Sequence, residues 1–134
     1  MPEYVSVATH ERIEMISIGA ELSALLAKKP GWKNGFLAVY SPHTTCGLTI
    51  NEGWDPDVKA DMTRFLAKRI PKDWGFLHAE GNSDSHIKTS LFGSSVLVPV
   101  VNGRLDLGQW QAVYLCESDG PRMRTLRVSF LEEK

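Results

Sequence analysis

Three histidines in this chain occupy positions where imidazole chemistry could be organised. His43 lies in Ser41-Pro-His-Thr-Thr-Cys-Gly47, and His78 and His86 fall within Phe76-Leu-His-Ala-Glu-Gly-Asn-Ser-Asp-Ser-His-Ile-Lys-Thr-Ser90. Neutral imidazole binds transition metals and exchanges protons near neutral pH. Three such rings with one open position suit a catalytic Zn²⁺ or related ion, able to polarise an oxygen or activate water. His78 and His86 are eight residues apart, not the four-residue step of a zinc-binding helix. The segment must therefore fold back to join them, with His43 as third ligand. Its density of His, Glu, Asn, Asp and Ser reads as a loop site, too polar for a core strand. The alternative is a solvated loop with hydrogen-bonded, structural histidines, the role assigned to His10.

Other polar residues extend the candidate site. Asn51 and Glu52 follow a predicted strand directly, where functional side chains often stand, although Asn-Glu-Gly is also ordinary turn composition. Arg122 and Arg124 flank the turn Glu117-Ser-Asp-Gly-Pro-Arg-Met-Arg124. Their planar guanidinium groups suit a phosphate or carboxylate, or they pair with Glu117, Asp119 or a neighbouring subunit. Cys46 stands three positions after His43, but that spacing in a loop says little about a thiol and base pair. The chain has no Walker loop, GxGxxG, HExxH, GxSxG or EF-hand pattern, which excludes P-loop hydrolysis and several hydrolase classes.

These residues need elements to hold them. Val5 and Val7 alternate with polar neighbours, as do Ile13 and Met15, which predicts an opening hairpin turning near Thr9-His10. Ile18, Leu22, Leu25 and Leu26 then mark one helical face that ends at Pro30-Gly31. Phe36–Tyr40 and Leu48–Ile50 read as strands joined through His43's segment. A second helix starts at Asp55-Pro56, carries Val58, Met62, Phe65 and Leu66 on one face, and stops before Pro71. Strands follow over Val96–Val101, Arg104–Leu107, Trp110–Glu117 and Met123–Leu131, with Asn102-Gly103 as a hairpin turn. Leu126, Val128 and Phe130 alternate with Thr125, Arg127 and Ser129, so one face is buried and the other meets water or a partner subunit. The order ββαββα followed by strands predicts an α+β fold, a largely antiparallel sheet with helices packed against it.

The 134 residues, 43% of them hydrophobic, fit a single domain spanning 1–134. With 15 basic and 16 acidic side chains, no net charge draws the chain to nucleic acid or a lipid surface. Its apolar runs are far shorter than the ~20 residues of a membrane helix. The start Met-Pro-Glu-Tyr-Val lacks the form of a secretory signal, so the expected location is the cytoplasm. Cys46 and Cys116 stand 70 positions apart and are expected to stay reduced, small buried hydrophobes.

Four ordered segments together resemble the YjbQ family: Pro42-His-Thr-Thr-Cys-Gly-Leu-Thr-Ile-Asn-Glu52, His78-Ala-Glu-Gly-Asn-Ser-Asp-Ser-His86, Gly108-Gln-Trp-Gln111 and Cys116-Glu-Ser-Asp-Gly-Pro-Arg122. The resemblance implies a compact α+β subunit assembled as a homotrimer, in a family long uncharacterised, some of whose members are associated with thiamine phosphate synthase activity. That reaction joins a hydroxymethylpyrimidine diphosphate to a thiazole phosphate and releases pyrophosphate. By the resemblance, His43, His78 and His86 are the histidine positions of the site. Glu52, Asn51 and Asn82 are its acidic and amide positions, and Arg122 is its closing arginine. Gln109 replaces the usual Thr, and Ser83 and Ser85 replace small apolar residues, departures that bear on substrate choice.

The departing pyrophosphate needs cationic stabilisation, for which Arg122, Arg124, Lys88 or Mg²⁺ are candidates. Three histidines fit a transition metal and hydrolysis better than Mg²⁺ and a diphosphate. Three expectations follow: a thiamine phosphate synthase-like transferase, a metal-dependent hydrolase with a three-histidine site, or a non-catalytic trimer that binds a metal or small molecule. The expected ligand is a small phosphorylated or anionic metabolite.

Overall fold

A computed structural model of the chain describes residues 1–133. Its elements are β1 (Glu3–Ala8), β2 (Glu14–Ser17), α1 (Gly19–Ala27), β3 (Gly35–Tyr40), β4 (Cys46–Glu52), α2 (Pro56–Arg69), α3 (Ser83–Phe92), β5 (Ser95–Val101), β6 (Arg104–Leu105), β7 (Gln111–Glu117) and β8 (Met123–Glu132). They form a five-stranded sheet ordered β1-β8-β3-β5-β6 and a three-stranded sheet ordered β2-β7-β4. Each pairing is antiparallel, so the α+β expectation holds.

The core lies between the sheets because strand alternation sends every second side chain inward. Leu37, Val39, Val98, Val100, Leu126 and Val128 of the larger sheet meet Leu48, Val113 and Leu115 of the smaller, and α1 closes this core with Leu22, Leu25 and Leu26. The other face of the smaller sheet carries Met15, Tyr114 and Cys116, against which Met62 of α2 and Phe92 of α3 pack. Both helices therefore cover the three-stranded sheet, and the outer face of the five-stranded sheet has none of the three helices across its centre.

Helix α2 forms where its boundary residues direct it. The Asp55 side chain accepts from the Asp57 amide at 2.9 Å, Pro56 opens the helix, and Lys68 and Arg69 complement the carbonyl end. At the β5–β6 turn, Asn102 and Gly103 have φ of 53° and 76°, the paired positive values of a type I′ hairpin. Gly47 lets α3 dock: a Cβ there would sit 2.8 Å from the Gly93 carbonyl oxygen and 2.9 Å from Phe92 Cβ.

Two local expectations are corrected. The segment around Thr9-His10 is not a hairpin turn, because β1 pairs with β8 while β2 pairs with β7 in the other sheet. The chain crosses between layers there, as it does again from β3 to β4 through His43's segment. The second half of the 76–90 segment is helix α3, not loop. Its buried face is polar, Asp84, Ser85, Lys88 and Thr89, so no apolar period announces it.

Candidate functional site

The crossings gather buried charge at one end of the sandwich. Glu117 follows Val113 and Leu115 in the inward phase of β7, and Arg124 precedes Leu126 and Val128 in the inward phase of β8. An acid and a base in core-facing positions must find one another, since an unpaired buried charge is very costly. Glu117 and Arg124 are 1% and 2% exposed. Arg124 donates to Glu117 Oε1 from Nε at 2.8 Å, to Oε2 from Nη2, and to Thr45 Oγ1 from Nη2 at 2.8 Å. Thr9 Oγ1 donates to Glu117 at 2.8 Å, and the Ser118 and Asp119 amides donate at 3.0 and 3.1 Å. Burial pushes the Glu117 carboxyl up, but the Arg124 hydrogen bonds and these further donors outweigh it and hold it below the usual range.

A second buried cluster lies under the start of α3. Asp84 is fully buried and receives both Arg12 amino groups, at 3.0 and 2.8 Å, and Lys88 Nζ at 2.8 Å. Burial raises its carboxyl, yet these partners hold it at about 2. Ser85 donates to the Ser118 carbonyl, which fastens α3 to the end of β7. Nearer the surface, Asn82 Nδ2 donates to Asp119 Oδ2 at 2.8 Å, and the half-exposed Arg122 reaches the same oxygen at 3.2 Å. Asn82 Oδ1 is buried without a hydrogen-bond partner among the described residues.

His43 stands at the rim of this end. Its Nε2 lies 3.0 Å from the Thr125 carbonyl oxygen and 3.1 Å from the Thr125 amide nitrogen. With the proton on Nε2 the ring donates to the carbonyl and leaves Nδ1 as a lone pair, an arrangement common in metal-binding histidines. Burial, and then the neighbouring Arg124, lower its pKa, which favours a neutral ring; with the proton on Nδ1 instead, Nε2 accepts from the Thr125 amide. His78 and His86 form a separate pair, ring centroids 5.5 Å apart at 74°. Two imidazoles on one tetrahedral ion, each bound at about 2.0–2.1 Å, place their centroids roughly 5 Å apart, a spacing this pair matches, as ordinary edge-to-face ring packing also does. Among the described residues, no three His, Cys, Asp or Glu side chains are grouped to hold an ion, so His43 does not complete a cluster with the pair inside the chain.

The remaining expected residues fall elsewhere. Lys88 and Arg124 are buried against carboxylates and support the site from beneath. Asn51 and Glu52 lie at the far end of β4: Cys46 is opposite Glu117, whereas Glu52 is opposite Gln111, roughly 20 Å along the strand. There Glu52 Oε2 accepts from the Trp54 and Asp55 amides at 2.9 and 3.3 Å, Asn51 Oδ1 accepts from the Glu52 amide at 2.7 Å, and Trp54 packs edge-on to Trp110. These contacts shape the turn into α2. Cys46 is buried and its thiol is pushed up to about 12, so it supplies no thiolate near neutrality. Arg12, Thr45, Asp84, Glu117 and Asp119 were not singled out as site residues from the sequence. For Glu117 the available signal was its phase on β7.

A sequence profile described as UPF0047 protein YjbQ-like matches residues 3–133. The chain belongs to the YjbQ family. It is 45% identical over 132 residues to the UPF0047 protein YugU of Bacillus subtilis, covering 98% of this chain and 99% of that one. The UPF0047 protein MJ1081 of Methanocaldococcus jannaschii is 42% identical, over 96% of this chain and 92% of its own. A crystal structure of an uncharacterized YjbQ/UPF0047 protein from Clostridium acetobutylicum superposes with a TM-score of 0.91 at 41% identity, over 96% of this chain and 99% of the other. The conserved hypothetical protein TT1486 of Thermus thermophilus gives 0.88 at 38%, with 96% and 99% coverage. Among the described residues no helix is long and apolar enough to cross a membrane.

Proposed function

We propose that this YjbQ family member is a cytoplasmic homotrimer that binds a divalent transition metal at His78 and His86 and acts on a small anionic or phosphorylated metabolite as a metal-dependent hydrolase. The 5.5 Å spacing of the two rings carries the reading. A bound ion would supply Lewis-acid polarisation of an oxygen. Arg122, half exposed beside Asp119, is the guanidinium available to orient an anion, and Asn82 braces Asp119 from below. The buried Glu117–Arg124 and Asp84–Arg12–Lys88 clusters fix these groups in place without facing the ligand.

Thiamine phosphate synthesis is less well supported, because a departing pyrophosphate needs several accessible cations, whereas Lys88 and Arg124 are buried and Arg12 is 29% exposed, each held on a buried carboxylate, which leaves the half-exposed Arg122. Elemental analysis of protein purified without a histidine tag tests the reading. Near-stoichiometric zinc, manganese, iron or a related ion is expected, lost in His78→Ala with cooperative unfolding retained. Absence of metal, with turnover of the pyrimidine diphosphate in Mg²⁺, moves the assignment to the transferase. Bound metal without turnover of any phosphate ester or diphosphate makes the protein a binding module.

A further inference from the structure

Asn82 occupies the capping position of α3 and does not cap it. Asparagine is favoured there because its side-chain oxygen accepts from amides of the first turn, yet no such bond forms. Nδ2 donates instead to Asp119 Oδ2 at 2.8 Å, while Oδ1 is buried without a hydrogen-bond partner among the described residues. Asn82 is 9% exposed, so water does not make good the loss. Reversing the amide would set its oxygen against the Asp119 carboxylate, which fixes the orientation. The helix thus forgoes a cap and leaves a buried acceptor unpaired to keep one carboxylate in place. Folds carry local costs of that kind at functional positions.

Asp119 is held from several directions. Arg122 donates to its Oδ2 from Nη2 at 3.2 Å and to its carbonyl from Nε at 3.0 Å. The Asp119 amide donates to the buried Glu117 carboxylate at 3.1 Å, and the next amide, of Gly120, donates to the Arg12 carbonyl at 3.0 Å. Both side-chain donors converge on Oδ2. Oδ1 takes neither, and it is not sealed from solvent. Arg122 is half exposed, with Nη1 unspent. An accepting oxygen and a donating guanidinium therefore stand side by side on a turn that is fixed in place.

We infer that Asp119 and Arg122 form a recognition pair, Arg122 holding the anionic group of the substrate and Asp119 Oδ1 accepting from a hydroxyl on a neighbouring carbon, so that the ligand class is a hydroxylated phosphate monoester. The inference deepens the function proposed above and rests on it for the anion. A guanidinium suits a phosphate, but a phosphate alone would also face the Asp119 carboxylate, which can only accept. A hydroxyl beside the phosphate turns that repulsion into a hydrogen bond. Because Arg122 and Asn82 already offset the charge on Oδ2, a neutral donor suffices. A site that bonds a hydroxyl discriminates against the analogue lacking it, here less strongly than in a closed pocket because the pair is partly solvated. The pair also borders the proposed metal ligands. His86 lies one helical turn after Asn82, its amide 3.4 Å from the Asn82 carbonyl, which sets the two side chains on neighbouring parts of the α3 surface. Ser85 fastens the Ser118 carbonyl, next to Asp119, to the same turn of helix.

Titration calorimetry with two probes tests this: glycerol 3-phosphate, and n-propyl phosphate, which has the same carbon chain without hydroxyls. The wild-type protein should bind the first about tenfold more tightly. Asp119→Ala should bring the ratio close to one, and Asn82→Ala should reduce it roughly threefold, since the carboxylate then loses its fixed orientation. Arg122→Ala should weaken both probes together. Should Asp119→Ala fail to fold, Asp119→Asn carries the test: its carbonyl must face the Asn82 and Arg122 donors, which turns an amide donor toward the ligand, and the ratio should again fall. His78→Ala should keep the ratio, because the ratio reports the pair and metal content reports the histidines. A wild-type ratio near one, a ratio unchanged in folded Asp119→Ala and Asp119→Asn, or no binding of either probe at millimolar concentration overturns the pair, whatever metal is bound. The tenfold preference in protein that binds no metal upholds the pair and refutes the metal reading alone.

Discussion

The two ends of β4 hold polar residues by opposite physical means. At the Cys46 end, Glu117, Arg124, Asp84 and Lys88 are withdrawn from water and each is committed to charged partners. At the Glu52 end, Asn51, Glu52 and Gln111 stay in or near solvent, and their side-chain oxygens accept from the backbone amides of turns. A buried pair costs desolvation and returns it only if every partner is present, whereas an exposed turn or cap is worth a modest amount alone. The first arrangement therefore makes a stiff support for neighbouring functional groups, while the second defines a helix start.

Substitution should expose that difference. Glu117→Ala leaves the Arg124 guanidinium buried and unpaired and should cost about 3–5 kcal/mol in urea unfolding. The double change Glu117→Leu with Arg124→Met should recover most of that loss, and an additive double mutant would refute the pair as the cause. Acid should act at the same end. Asp84, at about 2 when folded against an ordinary value near 4, contributes stability fully present above the ordinary value and lost as pH falls toward 2. The contribution is about 2 kcal/mol, and Asp84→Asn should flatten that limb of the stability profile. His43 adds in the same direction: its depressed pKa means that stability declines as pH drops below the ordinary imidazole range, and His43→Gln should remove that part. At the opposite end Glu52→Ala should cost only about 0.5–1 kcal/mol, and a loss as large as that of Glu117→Ala would erase the distinction.

What could be read from the sequence follows the same division. Helix α2 and the Asn102-Gly103 hairpin were legible because their signals are local: an N-cap, a proline, a residue pair suited to positive φ. The alternation in β8 correctly placed Leu126 and Val128 inside. The β1–β2 hairpin failed because alternation identifies strands without naming their partners, and both partners lie about a hundred residues away. Helix α3 escaped detection because its inward face is Asp84, Ser85 and Lys88, one ion pair across a turn, whereas periodicity searches look for apolar side chains. His43, His78, His86 and Arg122 were singled out by residue type, and Asn82 through the family resemblance. Lys88 and Arg124 were recognisable only as cations, since their carboxylate partners are fixed by tertiary packing.

The Glu117–Arg124 pair also joins three separate connections. Thr9 from the β1–β2 crossing and the Ser118–Asp119 turn bond to Glu117, Thr45 from the β3–β4 crossing bonds to Arg124, and the Thr9 and Arg122 main chains are linked directly. None of these loops can loosen without loosening the others. The backbone amides of Thr9, Ser118, Asp119 and Arg122 should therefore exchange with solvent deuterium through one common opening, at similar free energy, well above that of the exposed turn at Gly75.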